Sequence, residues 1–328
     1  MKTASTLSTL VLGLSSLVSA GPILSKRSAS YDDTCTIGYC TLGDGTTGGS
    51  GGTVTEVSTL DDLVSAVEGD ESKIVVITSS LSSDEDEGYA VKPGANTSIF
   101  GSSDVTLTNI GIRILDTENV IVRNLKIEKV LASTDAIAIQ ASNNVWIDHC
   151  ELSSDRDHDK DYYDGLLDIT HAADYVTVSN NYLHDHWKAS LVGHSDSNED
   201  EDSGHLTVTY FYNFFENLNS RGPSFRFGTG HIFNNYYSNM SDGINTRDGA
   251  QLLVENNVFV DSDKPLYSTD DGYAVASGND FGDGENTAEE GTLTTMSEYD
   301  YDLIEATSVT SYVESNAGAV LSLTDSKC

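Results

Sequence analysis

The chain is poor in nearly everything that breaks, staples or positively charges a protein. Its 328 residues hold four prolines and no low-complexity tract, so nothing reads as a linker and one domain is expected. Four cysteines, Cys35, Cys40, Cys150 and Cys328, suit an oxidising compartment, allow three pairings and lack zinc-ligand spacing. A local Cys35–Cys40 staple and a Cys150–Cys328 tether for the tail are the expected pairs. Cations are the scarcest class: 17 Lys+Arg stand against 52 Asp+Glu, a formal charge of −35. Residues 1–27 carry three of the cations and no acid, so their removal leaves −38. That sign excludes nucleic acid and anionic membranes as partners. A polyanionic substrate would need a local basic strip or bridging metal ions.

Long apolar runs are also missing, apart from one near the start. Lys2, the apolar stretch 7–18 and the small residues Val18-Ser19-Ala20 read as a secretory signal over 1–20. Serines interrupt the stretch, and it is too short to cross a bilayer. Lys26-Arg27 reads as a dibasic processing site, giving a possible propeptide at 21–27 and a body at 28–328. A soluble, secreted, extracellular monomer is expected, and the sequons at Asn96 and Asn239 agree with that route.

Helical periodicity is rare. A capping-box pattern at Ser58-Thr-Leu-Asp61, followed by Leu60, Leu63, Val64 and Val67, predicts one short amphipathic helix. Its expected task is to cover an open end that would otherwise expose strand edges. Residues 73–78 and 105–107 read as strands, with Pro93-Gly94 as a turn between them.

What the chain has in quantity is repetition. Segments starting at Val120, Val145, Val176, Val208, Gly230 and Leu252 share a short strand, a polar kink and an apolar pair. At the sixth position they hold Leu125, Cys150, Asn181, Asn213, Asn235 and Asn257. Asparagine tolerates left-handed backbone at sharp turns, and its amide can bond to the same amide one coil away. Coils of about 22 residues, β-rich throughout, predict an all-β fold, a single-domain right-handed parallel β-helix. Second strand pieces fall at 136–140, 166–170, 190–193 and 225–227. Acid-dense insertions at 155–163 and 195–203 are expected as solvated loops on one face. Beyond Asp263 the repeat fades into a tail that wraps the outside.

Acids and bases sit on successive coils. Asp135 opens one second strand piece, and Asp164-Gly-Leu-Leu-Asp168 occupies the same region one coil later. Coils stack about 4.8 Å apart, so these carboxylates can converge. Mutual repulsion makes a hard cation their natural partner, and an open, oxygen-only site favours Ca²⁺ over Zn²⁺ or Mg²⁺. Surface acids without an ion are the alternative reading. Lys188 and the segment Arg221-Gly-Pro-Ser-Phe-Arg226 supply cations on the coils that follow.

Taken together, Val145-Trp-Ile-Asp-His149, Asp164-Gly-Leu-Leu-Asp168, Asp185-His-Trp-Lys188 and Arg221-Gly-Pro-Ser-Phe-Arg226 resemble the pectate lyases of polysaccharide lyase family one, in their secreted fungal branch. The resemblance spans residues 54–281. It implies calcium-dependent β-elimination of unesterified α-1,4-polygalacturonate (pectate). It further implies Ca²⁺ ligation by Asp135, Asp164 and Asp168, Arg221 as the base, and Lys188 and Arg226 as holders of substrate carboxylates. Two departures stand out. Ser133 replaces an acid that some members carry, and Asp164 replaces a glutamate; both bear on calcium binding. Pectin lyases put a basic residue in the calcium site, whereas this chain keeps acids there.

The chemistry is coherent. The C5 proton of a uronate lies α to its carboxylate, and cations that neutralise the carboxylate stabilise the charge developing as that proton leaves. Arginine is an unusual base, because its side chain ordinarily stays protonated. His149 reads as structural, tied to Asp148 or to backbone. Arg247 is a candidate for substrate binding, or for a salt bridge with Asp248. Trp187 is a candidate cleft residue, and Phe211, Tyr212, Phe214 and Phe215 are expected in stacks. Two rivals are a polygalacturonase, which would use paired carboxylates and leave the arginines unexplained, and a non-catalytic carbohydrate-binding β-helix.

Overall fold

The computed structural model describes residues 27–324. The expected signal at 1–20, nearly all of the possible propeptide and Cys328 lie outside the described residues.

Parallel strands wind into a right-handed β-helix with three faces. One face is an eleven-stranded sheet running from Thr53–Val57 to Glu289–Glu290. The other two faces join into fifteen strands, because the long strand Tyr236–Arg247 bends from one to the other and pairs on both. The repeat frame matches the register. Val120, Val145, Val176, Val208, Gly230 and Leu252 are consecutive partners. One more coil follows, since Leu252 pairs with Ala274, so the repeat outlasts Asp263.

Inward residues fill the tube. The valines of this column are fully buried, each contributing roughly 1.5–3 kcal/mol relative to exposure. Phe215, Tyr237 and Phe259 stack through the interior at centroid spacings of 4.8 and 4.3 Å. Outside, Phe211 stacks on Phe233, and Tyr182 on Phe214.

The asparagine ladder forms at one corner. Asn181 Nδ2 donates to Asn213 Oδ1 at 3.1 Å, Asn213 to Asn235 at 2.9 Å and Asn235 to Asn257 at 3.0 Å. Asn257 then donates to Asn279 at 2.9 Å, a fifth rung in the extra coil. Each carboxamide oxygen also accepts the backbone N–H of the preceding rung. The ladder residues are not the left-handed ones. That conformation falls one position earlier, at His149, Asn180, Tyr212, Asn234 and Asn256. The turn and the ladder are thus separate jobs on adjacent residues.

The N-terminal helix is Leu60–Val67, with Leu63 and Val67 buried against the open end. Its cap is Thr59, one residue later than expected, accepting from Asp62 N at 3.2 Å. The tail wraps the outside and contains a further helix, Ala306–Asn316, which packs Val309 and Val313 on Tyr236 and Val258. Strand Leu321–Thr324 pairs with Arg27–Ser30. The Cys35–Cys40 disulfide is present. Cys150, whose expected partner Cys328 lies outside the described residues, has no disulfide among those residues; it is fully buried, and burial pushes its thiol up to about 12. No helix among the described residues is long and apolar enough to cross a membrane.

Candidate active site

The third face carries the site because its short strands alternate inward apolar and outward polar residues. In Leu167–Thr170, Leu167 and Ile169 enter the core, which leaves Asp168 and Thr170 facing a cleft. The cleft, of about 310 Å³, gathers Asp135, Asp164, Asp168, Lys188 and Arg221. These five come from four successive coils, through the registers that pair Ile137–Gln140 with Leu167–Thr170 and Leu191–Val192 with Ser224–Arg226.

Each carboxylate has one oxygen engaged. Asp135 Oδ1 accepts Gly165 N at 2.8 Å, and Asp168 Oδ1 accepts Leu191 N at 2.9 Å. Asp164 Oδ1 lies 3.2 Å from Lys188 Nζ. Burial pushes the Asp168 carboxyl up to about 6, with Asp164 adding to it, against the Arg221 charge and the Leu191 N–H. Burial, then Asp168 and Asp164, hold Asp135 well above the usual carboxylate range. Such a group is short of positive charge, and its donors are all oxygen, which fits Ca²⁺. As they stand, no three His, Cys, Asp or Glu side chains among the described residues are gathered to hold a metal ion.

Arg221 is held in left-handed backbone, φ 66°, and its carbonyl accepts Ser190 N at 2.8 Å. Its guanidinium makes no hydrogen bond or ion pair among the described residues. Beneath the acids, His186 is buried with Nδ1 2.5 Å from Ser154 Oγ. Burial, together with the Lys188 and Arg221 charges, brings it down to about 4.

Arg226 and Arg247 lie beyond the cleft lining. They are register partners one coil apart and share Asp196 and Asp248. Arg247, a candidate for substrate or for Asp248, makes a 3.2 Å ion pair with Asp248 and a 2.8 Å pair with Asp196. Trp187 does not line the cleft either. Its Nε1 donates to His158 O at 3.0 Å under the 155–163 loop. His149 is structural, with Nδ1 2.6 Å from Asp148 Oδ2 and Arg123 Nε 2.8 Å from the same oxygen.

Sequence reasoning missed Arg113, Gln140 and His194, all cleft residues. Arg113 fixes itself by donating twice to Gln140 Oε1, at 2.9 and 2.7 Å. Alternation within Ile110–Leu115, Ile-Gly-Ile-Arg-Ile-Leu, was the available signal.

The family model described as "Pectate lyase" matches residues 7–322. The chain belongs to the pectate lyase family. Pectate lyase A of Aspergillus niger is 62% identical over 286 residues, 87% of each chain. Pectate lyase A of Emericella nidulans is 59% identical over 298 residues, 90% of each. Among solved structures, a pectate lyase from a Bacillus species in complex with trigalacturonate superposes with a TM-score of 0.75 at 31% identity, covering 87% of this chain and 99% of that one. A Bacillus subtilis pectate lyase mutant shares the fold with a TM-score of 0.78 at 24% identity, over 89% and 99%. The pectate lyase described here is thus a polysaccharide lyase on a parallel β-helix.

Proposed function

We propose that this pectate lyase cleaves unesterified α-1,4-polygalacturonate by β-elimination, with Arg221 as the base. One observation carries the proposal: a guanidinium with no hydrogen bond or ion pair among the described residues shares one cleft with three carboxylates and Lys188. A polygalacturonase would need two carboxylates flanking the scissile bond, and it would leave Arg221 without a task. The Bacillus relative in complex with trigalacturonate supports the substrate class.

Lys188, Arg226 and Arg247 hold uronate carboxylates along the chain. Arg221 takes the C5 proton, the electron pair of the broken C5–H bond forms the C4–C5 double bond, and the C4–oxygen bond breaks. The departing oxygen leaves as a hydroxyl after taking a proton from solvent water. Asp135, Asp164 and Asp168 would hold Ca²⁺, which supplies charge to neutralise the uronate carboxylate and make C5–H more acidic. Residues 1–20 direct secretion, 21–27 form a propeptide and 28–328 act outside the cell as a monomer. Asn239 is exposed, with its amide donating to Asn217 Oδ1 at 3.1 Å, and Asn96 is half-buried, with its amide donating to Asp70 O at 2.9 Å; the more exposed Asn239 suits glycosylation better.

Incubation with polygalacturonate should generate new ultraviolet absorbance from a double bond conjugated to the carboxylate. Chelation should abolish it and added Ca²⁺ restore it, while Asp168→Asn should need far more Ca²⁺. Saturated products with new reducing ends would mean hydrolysis and end the proposal.

A further inference from the structure

A chain of net charge −35 must still admit a polyanion, and its two acidic insertions bear directly on how. Each insertion lends one exposed carboxylate to a cation of the uronate site. From the 155–163 loop, Asp161 Oδ1 lies 3.3 Å from Lys188 Nζ, with its side chain 61% exposed. From the 195–203 loop, Asp196 Oδ1 accepts from Arg226 Nε at 2.7 Å and Arg247 Nη2 at 2.8 Å, and it too is 61% exposed. The cations themselves are far less exposed, at 16%, 11% and 22%.

Asp196 is held in place rather than drifting. Gly193 has φ +87°, and a Cβ there would lie 2.7 Å from Arg226 Cβ, so only glycine lets the chain leave the strand directly over that arginine. The loop base is pinned by buried Asp202, which accepts Ala172 N at 2.8 Å, Asn198 Nδ2 at 3.0 Å and His194 N at 3.3 Å. Arg226 is aimed by donating Nη1 to Gly193 O at 3.1 Å. Two guanidinium groups one coil apart thus clamp a single carboxylate oxygen. An aspartate carboxylate and a uronate carboxylate are the same chemical group.

Resting on the galacturonan reading above, we propose that Asp161 and Asp196 are built-in stand-ins for uronate carboxylates, and that substrate binds by exchanging with them. Exchange keeps the number of carboxylates at the cations constant, and the released aspartates turn to solvent, where they already have most of their surface. The site therefore never leaves its arginines and lysine bare. A methyl-esterified uronate is neutral and cannot take over the clamp. The exchange thus selects chains rich in free carboxylates, and Arg247 becomes a full member of the clamp.

The test is calorimetric binding of saturated trigalacturonate, in chelator to prevent turnover, alongside its methyl ester. Asp161→Asn and Asp196→Asn keep shape and remove charge. Each should tighten acid-trimer binding by about three- to tenfold, in line with the modest worth of exposed ion pairs, and leave ester binding within about twofold. In an Arg226→Ala/Arg247→Ala background, Asp196→Asn should change nothing. Equal or weaker trimer binding by the Asn variants, beside a wild type that binds and yields unsaturated product, overturns the exchange alone. A wild type that neither binds the trimer nor yields that product overturns the galacturonan reading, and the exchange with it.

Discussion

Gly165 donates its backbone N–H to Asp135 Oδ1 at 2.8 Å while its Cα presses against the carboxylate of Asp168. A Cβ there would lie 2.5 Å from Asp168 Oδ1 and 2.8 Å from Oδ2. The glycine is therefore required by the closeness of the two acids, since its φ is not in the left-handed region. Gly165→Ala should displace Asp168 and lower calcium affinity by about 10–100-fold, the usual effect of disturbing a ligand's support. Calcium titration of the lyase rate checks this, with a melting temperature close to wild type as the control.

Arg221→Lys keeps a cation but loses the planar, multi-donor group. A positioned base contributes about 10²–10⁴-fold. Turnover should fall within that range while binding of trigalacturonate changes little. Arg226→Ala, by contrast, should weaken binding. Near-normal turnover in Arg221→Lys would move the base elsewhere and leave the lyase assignment intact.

Asn235 is wholly buried and serves four neighbours. Its oxygen accepts Asn213 N and Nδ2, both at 2.9 Å, and its amide donates to Tyr210 O at 2.9 Å, Phe233 O at 3.1 Å and Asn257 Oδ1 at 3.0 Å. Asn235→Ala strands these groups, each costing about 1–3 kcal/mol. Denaturant unfolding should show a loss of several kcal/mol. Asn279→Ala, at the half-buried end of the ladder, should lose clearly less.

His186 gives a pH signature. Burial and two nearby cations bring it from 6.5 down to about 4, so the fold prefers the neutral ring. Its contribution is complete above about 6.5, where the unfolded ring is neutral too. It is lost as pH falls towards 4, because the unfolded chain takes up the proton first. Melting temperature should drop more steeply between pH 7 and 4 in wild type than in His186→Gln. Identical slopes would show that the ring does not titrate as described.

The repeat was legible because its register is written twice, in the valine column and in the asparagines, and both survive insertions of variable length. The helix cap slipped by one residue because two hydroxyls, Ser58 and Thr59, each have an acid three positions on; only packing of Leu63 and Val67 chooses between them. Helix Ala306–Asn316 was invisible since Val309 and Val313 alone form its buried stripe. The acid cluster could be read from spacing. Sequence cannot say which exposed acid a loop will fold back, however, so the pairing of Arg226 and Arg247 with Asp196 waited for the structure.

The corner column changes chemistry partway along the stack, from Leu125 and Cys150 to the amides of Asn181 through Asn279. Apolar contacts accept small slides between coils, whereas a coil that shifts in an amide row loses the rungs on both its sides. The amide half spans the coils on which Lys188, Arg221 and Arg226 are mounted. The molecule thus has a grain, with tolerant gearing at one end and indexed gearing at the other. The alignment of a catalytic face is set from a corner that substrate never meets.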